Sequence, residues 1–143
     1  MVINRLKPAE EMSVKYRIVK QSRPGVKGGG QYKYYARACE RRKIDLDGLA
    51  DKLEKQSSLS RGDIVATLVG LVDLIPDLLL HNNSIELGEL GILSLNLKSE
   101  GAPEPRTDGY RLIKGTEISF RPSTKMKRAL RMADYSKSKT SEW

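Results

Sequence analysis

The stretch of sequence that decides the fold is Ile85–Gly91, which reads IELGELG. Apolar and polar residues alternate up to its Gly-Glu-Leu-Gly corner, and the alternation resumes in Leu93, Leu95 and Leu97. Alternation of this kind is typical of a strand that buries one face, and closely spaced glycines are typical of a corner. The stretch therefore predicts two strands of a β-hairpin that turn at residues 88–91.

Two helices are predicted before this hairpin. Asp45 is placed to cap the first one, in which leucines and an alanine recur at helical spacing. Ser60 and Asp63 have the spacing of a capping box for the second, although Asp replaces the usual Glu or Gln. Its wide apolar stripe runs from Ile64 to Leu78, and Pro76 is expected to bend or loosen the last turns. The stripe indicates either core packing within one chain or a dimer seam.

The residues after the hairpin predict a long connection and a final helix. Lys98–Gly109 is rich in Gly, Pro and charge and is interpreted as either a projecting arm or a plain loop. Strand-like composition returns over Tyr110–Ile113 and Thr116–Phe120. Arg121-Pro122-Ser123 then ends the strand, and a basic helix is predicted over Thr124–Ala133.

The N-terminal part of the chain predicts a second hairpin. Val14–Val19 alternates apolar and basic residues, Gln21–Gly30 is a glycine-rich connection, and Tyr32–Cys39 is strand-like again. The sequence is accordingly divided into four parts. They are a disordered segment (1–12), a β-hairpin extension (13–43), a main domain (44–134) and a flexible tail (135–143).

Charge is segregated along the chain. Residues 1–43 hold 12 Lys and Arg against 3 Asp and Glu, residues 44–97 hold 3 against 9, and residues 98–143 hold 11 against 6. Two basic segments that flank an acidic one suggest that one part of the fold meets a polyanion. The alternative interpretation is a basic protein with disordered ends.

No residue pattern supports an enzyme, a cofactor or a metal site. His81 is the sole histidine, and Gly25–Gly30 lacks the Gly-Lys-Ser/Thr ending of a phosphate-binding loop. Cys39 is the sole cysteine, which favours a reducing compartment. The first residues have no apolar core typical of a secretory signal, and no stretch is long enough to span a membrane. A cytoplasmic location at the nucleoid is expected.

The order of these strings resembles the HU/IHF family of bacterial DNA-bending proteins. The two helices, the Ile85–Gly91 corner and the Phe120-Arg121-Pro122-Ser123 junction carry the resemblance, which covers roughly residues 44–133. The N-terminal hairpin resembles an HU-related branch, found mainly in Bacteroidetes, that carries such an extension. The resemblance implies an α+β fold with a two-helix base, a β-sheet saddle bearing an arm, and a short C-terminal helix. It further implies an intertwined homodimer that binds double-stranded DNA.

One departure concerns the arm. Family arms usually end in an Arg-Asn-Pro tip, whereas Glu100–Gly109 holds three acids against Arg106 alone. Pro103 and Pro105 remain candidate wedges, but binding through the DNA backbone is the safer expectation. The candidate DNA-binding residues are Lys98, Arg106, Arg111, Lys114, Arg121, Lys125, Lys127 and Arg128.

The predicted function is therefore non-enzymatic, largely sequence-independent binding of duplex DNA, with an architectural, DNA-condensing role in the nucleoid. A first alternative is an HU-fold structural or protein-interaction module that has lost DNA bending. A second alternative is an RNA-binding module that stacks bases on Tyr32, Tyr34 and Tyr35.

Overall fold

The computed structural model describes residues 13–22 and 31–140 and divides into two compact units. The sheet unit comprises Met1–Lys43 and Met132–Trp143, of which residues 13–22, 31–43 and 132–140 are described. The helix–ribbon unit is Ile44–Arg131. The predicted disordered segment 1–12 and residues 23–30 of the glycine-rich connection lie outside the described residues.

The described elements make a mixed α+β fold, as the sequence predicts. In chain order they are β1 (Val14–Ser22), β2 (Tyr32–Ala38), α1 (Leu46–Glu54), α2 (Arg61–Leu80), β3 (Ile85–Glu86), β4 (Gly91–Ser99), a 3₁₀ helix (Gly109–Leu112), β5 (Ile113–Pro122), α3 (Thr124–Leu130) and β6 (Tyr135–Lys137).

The sheet unit contains a three-stranded sheet in the order β2-β1-β6. Strands β1 and β2 pair antiparallel from Tyr16↔Ala38 to Ser22↔Tyr32, which agrees with the predicted N-terminal hairpin. Strand β6 pairs parallel to β1, with Val14 opposite Tyr135.

Strand β6 corrects the prediction of a flexible tail (135–143) for residues 135–137, whereas residues 141–143 of that tail lie outside the described residues. Val14 N donates to the Asp134 carbonyl at 2.8 Å, and Ser138 N donates to the Tyr16 carbonyl at 2.8 Å. The edge of β1 offers backbone groups that need partners, and three extended residues are enough to supply them. The Ser/Lys composition of this segment gives no sign of the pairing, because the partner strand lies more than a hundred residues earlier.

A cluster around Glu40, which follows β2, connects the residue after β6 with Lys15 of β1. Ser138 is buried, and its hydroxyl donates to the Glu40 carboxylate. Lys15 Nζ lies 3.0 Å from the other carboxylate oxygen of Glu40. The Ser138 hydroxyl, with Lys15 and Thr140 beside it, lowers the pKa of Glu40 below its ordinary value of 4.5. The charged form of Glu40 is therefore the one that holds this cluster together.

Acid is expected to loosen β6 through Glu40. Because the folded-state pKa is lowered, the stabilisation is present above pH 4.5 and is lost as the pH falls through the folded-state value. Hydrogen-exchange protection factors of residues 135–138 should fall between neutral pH and pH ~3, and Glu40→Gln should remove most of that pH dependence. The matched control is Asp108→Asn, which removes another carboxylate of lowered pKa and should leave the β6 profile unchanged. An identical acid response in Glu40→Gln would assign the loosening to other groups.

Both predicted helix starts in the helix–ribbon unit are confirmed. The Asp45 carboxylate accepts from Gly48 N at 2.8 Å, and Ser60 Oγ accepts from Asp63 N at 3.2 Å. The capping box is altered by the shorter acid, because Asp63 Oδ2 accepts from the Ser60 hydroxyl at 2.7 Å. Helix α2 continues through Pro76 to Leu80.

The hairpin predicted around Gly88–Gly91 is also confirmed, and it continues into a longer antiparallel ribbon. Strand β4 pairs with β3 on one side and with β5 on the other, from Gly91↔Pro122 to Lys98↔Gly115, with an irregularity after Lys98. We call the β4–β5 pair the ribbon. Paired residues share a face, so the register gives the ribbon one apolar and one polar face. The apolar face carries Leu93, Leu95, Leu97, Phe120 and Ile118, and the polar face carries Ser94, Asn96, Lys98, Arg121, Ser119 and Glu117.

The connection between β4 and β5 is a loop, and two predicted boundaries differ. Glu100 N donates to the Leu112 carbonyl at 2.9 Å, which closes the loop just beyond the ends of the strands. The segment Tyr110–Ile113, predicted as a strand, is a 3₁₀ helix up to Leu112, because Asp108 and Gly109 begin a turn in which Arg111 N donates to the Asp108 carbonyl at 3.0 Å. Helix α3 ends at Leu130, three residues before the predicted end.

The described part of the chain has a very small core. Its buried hydrophobic side chains are Ala50, Ile64 and Leu79. Large apolar side chains remain exposed on both helices and on the apolar face of the ribbon, including Leu49, Val72, Leu97, Ile118 and Phe120. The apolar surface of α2 and of the ribbon is therefore left open by the single chain.

Candidate nucleic-acid interface

Helix α3 is attached to the glycine corner through Ser123. Ser123 Oγ accepts from Met126 N at 3.1 Å and thereby caps α3, as predicted, and the same hydroxyl donates to the Glu89 carbonyl. Ser123 N donates to the Leu90 carbonyl at 3.2 Å, and Lys125 Nζ lies 2.5 Å from the Glu89 carboxylate. These contacts position the basic helix at the end of the ribbon.

Gly91 explains why the glycine corner and the Phe-Arg-Pro junction occur together in one sequence. Its φ is +151°, and a Cβ built on it would lie 2.4 Å from the Arg121 carbonyl oxygen. The same Cβ would lie 2.6 Å from Cε2 of the Phe120 ring. The backbone of β5 and the Phe120 ring therefore occupy the space that any other residue's side chain needs.

Most of the cations predicted around the connecting loop are paired with acids. Lys98 lies 3.4 Å from Glu117, and Lys114 lies 3.3 Å from Glu100. Arg106 binds both carboxylate oxygens of Asp108 at 2.9 Å, which lowers the pKa of Asp108. Arg111 approaches the same carboxylate at 3.5 Å. Exposed pairs of this kind are weak, but each one cancels a positive charge locally.

The remaining predicted cations cluster at the far end of the ribbon. Arg121 lies on the polar face of the ribbon, and Lys127 and Arg128 lie on α3. Within residues 13–22 and 31–140, none of these three has an acidic partner within 4.0 Å, and neither has Arg131 beside them. The structure thus separates the predicted site residues into an ion-paired group and a second group without an acidic partner among the described residues. The first group holds the four loop cations and Lys125, and the second holds Arg121, Lys127 and Arg128.

The two candidate wedge prolines lie in the connecting loop. Pro103 and Pro105 are exposed, and Glu104 stands between them with its side chain also exposed. Glu100 follows β4 directly and is paired with Lys114. The loop therefore brings carboxylates close to both prolines, which opposes their approach to phosphates.

Four residues of this surface are missing from the set of candidate residues that the sequence predicts. Ser94, Asn96 and Ser119 lie on the polar face of the ribbon beside Arg121, and their side chains suit contacts to phosphate oxygens. Ser94 and Asn96 could have been predicted from the alternation along Leu93–Leu97, because the residues between the leucines must point to the opposite face. Arg131 follows α3 and adds a fourth cation to the cluster.

Other kinds of site receive no support from the described residues. No group of three His, Cys, Asp or Glu side chains in residues 13–22 and 31–140 is arranged to hold a metal ion. None of the helices in the described part of the chain is long and apolar enough to cross a membrane.

Comparison with known proteins places this arrangement in a family. Residues 12–137 match the HU-HIG family, described as an HU domain fused to a wHTH, Ig or glycine-rich motif. A crystal structure of a candidate bacterial DNA-binding protein from Bacteroides vulgatus is similar to the chain, with a TM-score of 0.59 and 10% sequence identity. The similarity covers 92% of this chain but 51% of that one, so the chain spans about half the length of this neighbour. The search of curated proteins finds no match. The family model covers most of the sequence, and the chain accordingly belongs to the HU-HIG family and contains an HU-like domain.

Proposed function

We propose that the protein is a non-enzymatic, largely sequence-independent binder of duplex DNA that acts as an HU-like homodimer in the bacterial nucleoid. The observation that carries this proposal is the cationic cluster of Arg121, Lys127, Arg128 and Arg131, which has no acidic partner within the described residues. Membership of a family defined by an HU domain supports the proposal, as does the fold shared with a candidate DNA-binding protein.

The proposed contacts are mainly to phosphates. Four exposed cations and the hydroxyl and amide groups of the ribbon's polar face offer donors to the DNA backbone. Contacts of this kind position a protein on the duplex and carry little sequence information. They also predict a steep loss of affinity as salt increases.

The same geometry argues for binding without strong kinking. A proline that inserts between base pairs brings the neighbouring charged residues close to the phosphates. The loop that holds Pro103 and Pro105 carries three acids, Glu100, Glu104 and Asp108. Arg106 is already held by Asp108. We therefore propose a role in coating and condensing DNA, in which the loop does not intercalate.

The homodimer is proposed from the open apolar surface. The single chain leaves one face of the ribbon and several α2 side chains exposed, and a soluble monomer rarely leaves so large an apolar area uncovered. A second copy offers matching surface through a two-fold contact.

Neutralising the cluster around α3 is expected to weaken duplex binding. The triple variant Arg121→Gln, Lys127→Gln, Arg128→Gln should lose about tenfold or more in affinity, because each lost phosphate contact removes about 0.9 from the slope of log K against log salt. Fluorescence anisotropy of a labelled duplex across a salt series measures both quantities.

The matched control neutralises three ion-paired cations, Lys98→Gln, Arg106→Gln, Lys114→Gln. It removes the same net charge and should cost much less affinity and slope. Equal losses in the two triple variants would show that overall charge, and not the cluster, governs binding. Absence of duplex binding by the unaltered protein at roughly 50 mM salt would favour the alternative of an HU-fold protein-interaction module.

A further inference from the structure

One face of the sheet unit is unusually rich in tyrosine. The register of β2-β1-β6 places Tyr16, Lys20, Tyr32, Tyr34, Tyr135 and Lys137 on the same face of this sheet, which we call the tyrosine face. Tyr35 belongs to the opposite face, because it follows Tyr34 directly in β2 and is paired with Val19. The two faces therefore differ in chemistry, although each carries aromatic side chains.

Three of the four tyrosines of this face are exposed, whereas Tyr16 is half-buried. Tyr32 is 58% exposed, Tyr34 55% and Tyr135 72%. A packed aromatic side chain ordinarily loses most of its accessible surface on folding, and large aromatic surface left open is typical of recognition sites. More than half of the accessible surface of each of these three residues is thus within reach of a ligand that approaches the sheet.

The spacing of Tyr32 and Tyr34 suits two successive bases. Residues two apart on a strand point to the same side and lie ~6.6 Å apart, which is comparable to the step between nucleotides in an extended single strand. Lys20 is paired in register with Tyr34, and its Nζ lies 4.6 Å from the centroid of the Tyr32 ring. A cation therefore lies over the Tyr32 ring and opposite Tyr34, close enough to contact a phosphate of a strand that stacks on the two rings.

The positive charge of the sheet unit favours a polyanion as its partner. Its described residues hold ten lysines and arginines against two acids, Glu40 and Asp134. Glu40 is already engaged by Lys15 and Ser138. A surface that joins exposed aromatic rings to a strong excess of positive charge complements a polyanion that also offers flat aromatic groups.

We propose that the tyrosine face binds single-stranded nucleic acid, with Tyr32 and Tyr34 stacking on two successive bases and Lys20 contacting the intervening phosphate. Duplex DNA does not fit this face as well, because its bases are stacked on one another and present only their edges. The site is thus separate in residues and in ligand from the duplex-binding cluster around α3.

The test measures the affinity of the full chain for labelled oligo(dT) and oligo(U) of about ten nucleotides, a length within the usual site sizes for single strands. The double variant Tyr32→Leu, Tyr34→Leu keeps apolar bulk on the strand and removes the rings. It should bind both probes roughly 10- to 100-fold more weakly, since each stacked base contributes a substantial part of the affinity. Tyr32→Phe, Tyr34→Phe keeps the rings and should bind within about twofold of the unaltered protein.

Two controls separate this proposal from the duplex proposal and from simple unfolding. Tyr35→Leu makes the same chemical change on the opposite face of β2 and should leave single-strand affinity unchanged. Duplex affinity should be unchanged in the Tyr32→Leu, Tyr34→Leu variant, whereas the α3 triple variant should lose duplex binding and keep binding to the single strand. A preference for one probe would identify the natural ligand as DNA or RNA.

Photo-crosslinking of the unaltered protein gives a readout that needs no variant. Oligonucleotides that carry 5-bromo-deoxyuridine or 5-bromo-uridine should crosslink to Tyr32 and Tyr34, as mapped by mass spectrometry of the digested chain. Crosslinks confined to α3 and the ribbon would overturn the proposal. So would unchanged affinity in the double Leu variant, an equal loss in Tyr35→Leu, or the absence of single-strand binding.

Discussion

Ile118→Asp is expected to prevent the chain from assembling into a folded dimer, whereas Asn96→Asp on the same ribbon is expected to leave assembly intact. Ile118 lies on the apolar face and is 59% exposed in the single chain. If the chain worked alone, a carboxylate there would meet water and cost little. In the proposed dimer the carboxyl group is buried without a partner. Even in its neutral form it costs about 2–7 kcal/mol, and the two-fold symmetry imposes that cost twice.

Light scattering coupled to size exclusion measures the outcome. The unaltered protein should elute with twice the 16.0 kDa mass of one chain, and the Ile118→Asp protein as a monomer or as an unfolded chain. The thermal midpoint of the unaltered protein should rise with protein concentration, as expected when folding and association are linked. Asn96→Asp adds the same charge to the polar face. If the two variants assemble equally well, the apolar face of the ribbon is not part of the dimer interface.

The second large effect is expected at Gly91. A Gly91→Ala methyl group would lie 2.4 Å from the Arg121 carbonyl oxygen and 2.6 Å from the Phe120 ring, on a backbone whose φ is +151°. Either the ribbon separates at this end or the Phe120 ring moves, and the combined clash and strain should cost about 3 kcal/mol or more. Because Arg121 and α3 follow directly, duplex affinity should fall as well.

Urea unfolding of the full chain measures this loss, and Gly115→Ala is its control. Gly115 lies on β5 of the same ribbon, and a Cβ built on it meets no atom within 4 Å. Its replacement should change stability by less than about 1 kcal/mol. If the two alanine variants are equally stable, the close packing of β4 against Phe120 does not stabilise the glycine corner.

The features that the sequence predicted well are those determined by neighbouring residues. Asp45, Ser60 and Ser123 cap their helices through hydrogen bonds that reach three residues along the chain, and such signals are visible in a short window. The ribbon was predictable because one-sided burial requires alternation.

The features that the sequence did not reveal depend on distant partners. Tyr135–Lys137 is a strand because the edge of β1 is available, and its own composition does not favour one. Lys98 and Lys114 stay predicted DNA contacts, and the structure adds that each lies beside an acid, Glu117 and Glu100 respectively. No local pattern distinguishes a paired surface lysine from an unpaired one. The difference between the loop and the α3 cluster therefore became visible only in three dimensions.

The parallel pairing of β6 with β1 makes the helix–ribbon unit an insertion within the sheet unit. The sheet unit is discontinuous in sequence, since residues 44–131 separate its two halves. During synthesis the chain emerges from its N-terminus onward, so β1 has no β6 to pair with until the whole helix–ribbon unit has been made. The complete three-stranded sheet can therefore form only after residues 44–131 have been synthesised.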